Sequence, residues 1–119
     1  MIYLNEKEFT ERVYDIEAGS DFKGLIPAVV SFHTLTTYCQ SMNAIIDDVA
    51  ALHTDINFYG IDVDAENEFV TKLGIRAIPA AMIIPLTGKP AIIAGLFYSH
   101  DELEKAIAKV IFPSRIIKV

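Results

Sequence analysis

A single cysteine in 119 residues excludes an intrachain disulfide, and with it the stapled architectures of small secreted domains. Positive charge is also scarce: ten Lys and Arg stand against 16 Asp and Glu, for a formal charge of −6 and a pI near 4.9. Binding to nucleic acid or acidic phospholipid needs clustered cations to neutralise phosphate, so neither is an expected partner. The three histidines, His33, His53 and His100, are too far apart for zinc-ligand spacing, and no metal or other cofactor is expected. Long apolar runs are missing too. The longest, residues 77–86, is broken by Pro79 and Pro85 and falls far short of the roughly 20 residues that span a bilayer. The opening "MIYLNEKEF" has neither the basic start nor the apolar core of an export signal, which predicts a cytoplasmic protein.

What the chain does have is apolar content, 52% hydrophobic residues with a mean hydropathy of +0.35. That is high for a soluble domain, so either a sheet is covered on both faces or part of the surface meets a partner. The length predicts one domain over residues 1–119, with 113–119 as a tail. Asn5 and Glu8 read as a capping box, and Phe9, Val13 and Ile16 share one helical face, which predicts a helix over residues 6–17. "AVVSFH" is a short valine-rich run, as a buried strand would be. Met42, Ile45, Ile46, Val49 and Leu52 then recur at helical spacing, with Asp47 and Asp48 facing away. "INFYGIDVD" reads as a strand, and "AENEFVTKLG" as a short helix closed by Gly74. "AAMIIPL" and "AIIAGLF" flank a turn and form a hairpin. Ser99 and Glu102 read as a second capping box, before a helix with Leu103, Ala106, Ile107 and Val110 on one face and Pro113 at its end. With "IYL" as an edge strand the order is βαβαβαββα, an α/β fold with a mixed sheet covered on both faces.

That order resembles thioredoxin, and two stretches carry the likeness. "LGIRAIPAAMII" is similar to the family's segment in which a proline, cis in known members, opens a strand opposite the redox motif. "AVVSFHTLTTYCQSM" is similar to the strand and loop that lead into the redox helix. The resemblance spans residues 5–111 and implies a thioredoxin-like fold, with a central mixed sheet and helices on both faces. It also implies a degenerate site. Active members carry Cys-x-x-Cys where the second helix begins. Counting forward from Phe32 puts those four positions at residues 37–40. Counting back from Ile45, Ile46 and Val49 puts them at residues 36–39, and we favour this alignment because helix packing tolerates a slip less than a loop does. In both, a threonine, Thr37 or Thr36, replaces the first cysteine. His33 stands for the expected tryptophan and Ser31 for the buried aspartate thought to assist proton transfer. Because a dithiol cycle needs a second thiol to resolve the mixed disulfide, little or no disulfide reductase turnover is expected.

Two readings of Cys39 compete. A thiol in the first turn of a helix meets unpaired amides and the positive dipole end, which favour the thiolate. With His33 or Arg76 as electrostatic aid, Cys39 would be a catalytic monothiol forming a mixed disulfide with glutathione or a sulfenic acid with peroxide. Thr36-x-x-Cys39 is similar to the Thr-x-x-Cys of peroxiredoxins, yet Phe32 stands where their proline would and the chain is shorter. The reading we favour makes Cys39 a small buried hydrophobe in the second cysteine's place, the more buried of the two. His33 itself reads as a strand-end residue hydrogen-bonded to the loop, His53 and His100 as surface residues near helix ends, and Asp62 and Asp64 as turn residues.

The family's surface around the proline loop binds extended peptide through the backbone of the residue before the proline. Here that residue is Ile78, next to Pro79, and Thr36, Thr37, Tyr38 and residues 94–95 would line the same groove. Such a groove needs no thiol. The resemblance therefore implies a module for protein or extended peptide. The tail "SRIIKV", rich in β-branched residues, would add an edge strand and make a homodimer.

Overall fold

In chain order the elements are β1 (Ile2–Tyr3), α1 (Glu6–Arg12), β2 (Ala28–His33), α2 (Thr37–Leu52), β3 (Asn57–Asp62), α3 (Asn67–Lys72), β4 (Ala80–Ile84), β5 (Ala91–Ala94) and α4 (His100–Ile111). The computed structural model describes residues 1–113, apart from the side chains of Thr37 and Tyr38. The tail "SRIIKV", and the homodimer expected from it, lie outside the described residues.

All six residues of β2 are buried, so this strand needs partners on both edges and cover on both faces. It pairs parallel with β3 and antiparallel with β4, and the five-stranded sheet runs β1-β3-β2-β4-β5. Side chains alternate across a strand, and the core divides accordingly. Ala28, Val30 and Phe32 face α1 and α3, where Phe9 and Phe69 meet edge to face with ring centres 5.0 Å apart. Val29, Ala81 and Ile83 face Met42, Ile46 and Val49 of α2 and Leu103 and Ile107 of α4. Two histidine–carboxylate contacts tie α2 to α4: His53 with Glu104, and His100 with Asp48 at 2.9 Å. Among the described residues no helix is long and apolar enough to cross a membrane.

Four local expectations are corrected. The first helix ends at Arg12 and not at residue 17, leaving Ile16 50% exposed. The Asp15 carboxylate accepts from the Ala18 amide and the Asp15 amide donates to Ser20 Oγ, so side chains hold a turn where a helix would have continued. Leu52 is 74% exposed, because the 3.6-residue repeat of Met42, Ile46 and Val49 continues to half-buried His53. Only half of the second capping box forms: Ser99 Oγ accepts from the Glu102 amide, but the Glu102 carboxylate accepts from Tyr98. The last strand stops at Ala94, where Gly95 turns the chain with φ +100°.

The first capping box is complete, with Asn5 Oδ1 accepting from the Glu8 amide at 2.8 Å and Glu8 Oε1 accepting from the Asn5 amide at 3.1 Å. A helix of seven residues has little stability of its own. Asn5→Ala is therefore expected to lower unfolding stability by about 1 kcal/mol in urea titrations. An unchanged midpoint would show that the Glu6 amide's bond to Glu66 holds this end unaided.

Candidate functional site

The chain leaves β2 at His33, crosses residues 34–36 and enters α2. Thr36 is the N-cap, with extended backbone (φ −88°, ψ 163°), yet its side chain makes no capping bond. Its hydroxyl is instead 2.7 Å from that of Thr34, which in turn lies 3.7 Å from Cys39 Sγ. Cys39 sits in the first helical turn, its amide donating to the Thr36 carbonyl at 3.1 Å, and is 1% exposed. Thr37 and Tyr38 supply the backbone that opens the helix; their side chains lie outside the described residues.

The facing strand arrives by register. Phe32 pairs with Ala80, and extending that antiparallel register brings Ile78 level with Thr34. The Ile78–Pro79 peptide bond is cis, Pro79 is buried and Ile78 half-buried. The Gly95 amide donates to the Pro79 carbonyl at 2.8 Å, which fixes residues 94–95 beside it. Thr34, Thr36, Cys39, Ile78 and Pro79 thus share one end of the sheet, with Leu35 62% exposed between the threonines. Arg76 is exposed and, among the described residues, forms no ion pair or hydrogen bond, so no direct contact joins it to the thiol. Asp62 and Asp64 form a turn, in which the Asp62 carboxylate accepts from the Asp64 amide at 3.1 Å.

His33 is not bonded to the loop as expected. It is fully buried, with Nδ1 2.8 Å from Ser31 Oγ and Nε2 2.7 Å from Tyr3 Oη. Either hydroxyl can donate or accept, so a neutral ring is satisfied in both tautomers. Tyr3 reaches it across β3 because Gly60, paired with Tyr3 on one side and Ser31 on the other, has no side chain; a Cβ there would lie 3.1 Å from the tyrosine ring. Burial pushes the His33 pKa down, against the partial opposition of the Asp62 and Asp47 carboxylates and the Ser31 backbone. Burial, with the same two carboxylates, pushes Tyr3 up. Sequence reasoning missed Thr34 as the neighbour of the thiol and Tyr3 as the partner of His33. A glycine inside a strand pattern was the available signal, since it marks close approach by another group.

A mixed sheet covered on both faces, a helix opening just past the central strand and an Ile–Pro peptide level with that opening define a thioredoxin-type fold with one thiol. The chain belongs to the thioredoxin family, whose sequence profile, described as Thioredoxin, matches residues 1–109. It is 28% identical over 110 residues to a protein described as thioredoxin from Borreliella burgdorferi (strain ATCC 35210 / DSM 4680 / CIP 102532 / B31), covering 89% of this chain and 93% of that one. The fold is similar to the crystal structure of chloroplastic thioredoxin z, with a TM-score of 0.74, 14% identity and 92% of each chain covered.

The buried imidazole carries a pH signature. Its folded pKa is depressed below the ordinary value near 6.5, so as pH falls through about 6.5 the unfolded chain takes up a proton that the folded chain does not, and stability falls. Above that range the term is absent. The stability difference between wild type and His33→Gln, from urea unfolding at successive pH values, is expected to be level near neutrality and to move against wild type on acidification. A difference that stays level would mean that the folded imidazole protonates freely. At neutral pH, Tyr3→Phe is expected to cost about 1–3 kcal/mol, by leaving a buried ring nitrogen without a partner.

Proposed function

We propose that this thioredoxin-family chain is a protein-binding module. It would take an extended protein segment at the Thr36/Ile78–Pro79 end of its sheet and perform no disulfide reductase turnover. The observation that carries this reading is the burial of the only thiol: Cys39 is 1% exposed, in a helix whose N-cap is a threonine. Disulfide exchange needs one thiolate to attack and a second thiol to resolve the mixed disulfide. The N-cap at Thr36 supports the alignment anchored on the helix, in which Thr36 replaces the attacking cysteine and Cys39 the resolving one. Binding through a strand edge needs only backbone groups and a few apolar side chains. Ile78 offers the backbone, and Leu35 offers exposed apolar surface beside it.

A second reading has one specific support, the Thr34 hydroxyl lying next to Cys39 Sγ. A Cys39 thiolate would attack glutathione disulfide and release one glutathione thiolate, or attack hydrogen peroxide and release hydroxide, becoming a sulfenic acid. Either step requires the buried sulfur to become accessible.

Three measurements separate these readings. Cys39 is expected to react with a thiol reagent only after denaturation, and dithiothreitol-driven reduction of insulin is expected to run at the background rate with wild type and Cys39→Ala alike. Extended peptides selected by display on the native chain are expected to bind Cys39→Ala within about twofold of wild type, and Leu35→Asp about tenfold more weakly. Fast native alkylation, with insulin reduction that Cys39→Ala abolishes, would replace the binding reading with the redox one.

A further inference from the structure

We infer that the seam between α1 and α3 is a docking groove for a basic, amphipathic segment of a partner protein. This site is distinct from the proposed peptide site and shares no residue with it: it lies in the seam of α1 and α3, whereas the peptide site lies where β2 gives way to α2. The two helices are joined by the Phe9–Phe69 ring contact and by the Glu66 carboxylate, which accepts from the Glu6 amide at 2.8 Å. Beside this joint runs a groove of about 500 Å³, and a second hollow of about 270 Å³ continues it past Glu6 and Phe69 toward the start of α3.

The floor of the larger groove is apolar, made by Phe69, Leu73 and Ile16. Ile16 is there because α1 stops at Arg12: an isoleucine that helical spacing would have buried is left 50% exposed in the groove. The rim is acidic. Six carboxylates line the seam against two lysines, Lys7 and Lys72, so most of the chain's formal −6 stands along it. Three of the six are engaged: Glu66 by the Glu6 amide, Glu6 by Lys72 at 3.6 Å, and Asp15 by its own turn. Glu11, Glu17 and Glu68 have no ion pair or hydrogen bond among the described residues.

An apolar floor between unpaired carboxylates selects its occupant by charge and by shape. Phosphate-rich surfaces are repelled, which excludes nucleic acid and anionic membrane. A neutral apolar peptide would strip water from the rim carboxylates without replacing it by counter-charge. A segment with Lys or Arg flanking one or two aliphatic or aromatic side chains meets both needs, and the volume suits one or two such side chains.

The test is a titration of the full-length, isotope-labelled chain followed by amide chemical shifts. The probe is an amphipathic Leu/Lys peptide of about 14 residues; a Leu/Glu peptide and a Ser/Lys peptide of equal length serve as controls. The Leu/Lys peptide is expected to move signals of α1, residues 15–17 and α3, and to leave residues 34–39 and 78–79 in place. Its affinity is expected to fall about tenfold in Glu11→Lys/Glu17→Lys, both exposed positions, and to weaken as salt rises from about 0.05 to about 0.3 M. Shifts centred away from the seam, equal affinity of the Ser/Lys peptide, or no loss in the double variant would each overturn the proposal. None of these outcomes bears on peptide binding near Ile78, so the two readings fail separately.

Discussion

The rest of the structure depends on a central strand with no exposed side chain. β2 is buried at all six positions, which obliges the chain to pair both its edges and to cover both its faces. Two of those positions are nevertheless polar, and by alternation Ser31 and His33 point with Val29 toward the face that α2 covers. A buried imidazole needs partners for both nitrogens. Ser31 supplies one from the same strand, and Tyr3 supplies the other from two strands away, over a glycine. The two-residue β1, the glycine of β3 and the polar half of β2 are therefore one arrangement, which gives a very short edge strand a fixed place.

The same arrangement bears on the chemistry at the end of the strand. In the family resemblance, the attacking thiol, the buried carboxylate and the group that follows the strand phenylalanine act around one thiolate. In the alignment anchored on the helix, Thr36, Ser31 and His33 would stand in those places, and each is hydrogen-bonded to a neighbouring side chain. Thr36 bonds to Thr34, and Ser31 and His33 bond to each other. Among the described residues the hydrogen-bonding neighbour of the sulfur is the neutral Thr34 hydroxyl, while the features that would serve binding persist, namely the β2–β4 register, the Ile78–Pro79 turn and its bond to Gly95. On the proposed reading these substitutions would remove proton transfer and nucleophilic attack together and spare the scaffold.

The strand and helix order was legible because periodicity reports burial directly. "AVVSFH" is continuous because both its faces are covered, and the α4 stripe of Leu103 and Ile107 follows one core. The failures lie where side chains compete locally with the backbone. Asp15 and Ser20 form a turn where an apolar pattern promised five more helical residues, to residue 17, and Glu102 finds the Tyr98 amide in place of its box partner. Leu52 shows a different failure, since a residue at the margin of an apolar stripe goes to solvent when its neighbour His53 meets the Glu104 carboxylate between α2 and α4. The site was legible as a set of positions and not as contacts. Its neighbours in space, Thr34 beside Cys39 and Tyr3 beside His33, are set by strand register, which a single sequence does not display.

The two surfaces make sense together. On the proposed reading the domain acts by binding, and one binding surface would make it a cap or a competitor. The proposed strand-edge site uses the end of the sheet where β2 meets α2, whereas the proposed acidic seam lies between α1 and α3. The two proposed sites share no residue, so to a first approximation their binding free energies should add. Two independent sites of modest affinity on one small body raise the effective concentration of one ligand for another without either being tight. On the proposed readings a thioredoxin scaffold with a single thiol would serve as an adaptor: an extended segment would be read by backbone pairing, a basic segment by charge over an apolar floor, and the buried thiol beneath the loop would contribute packing.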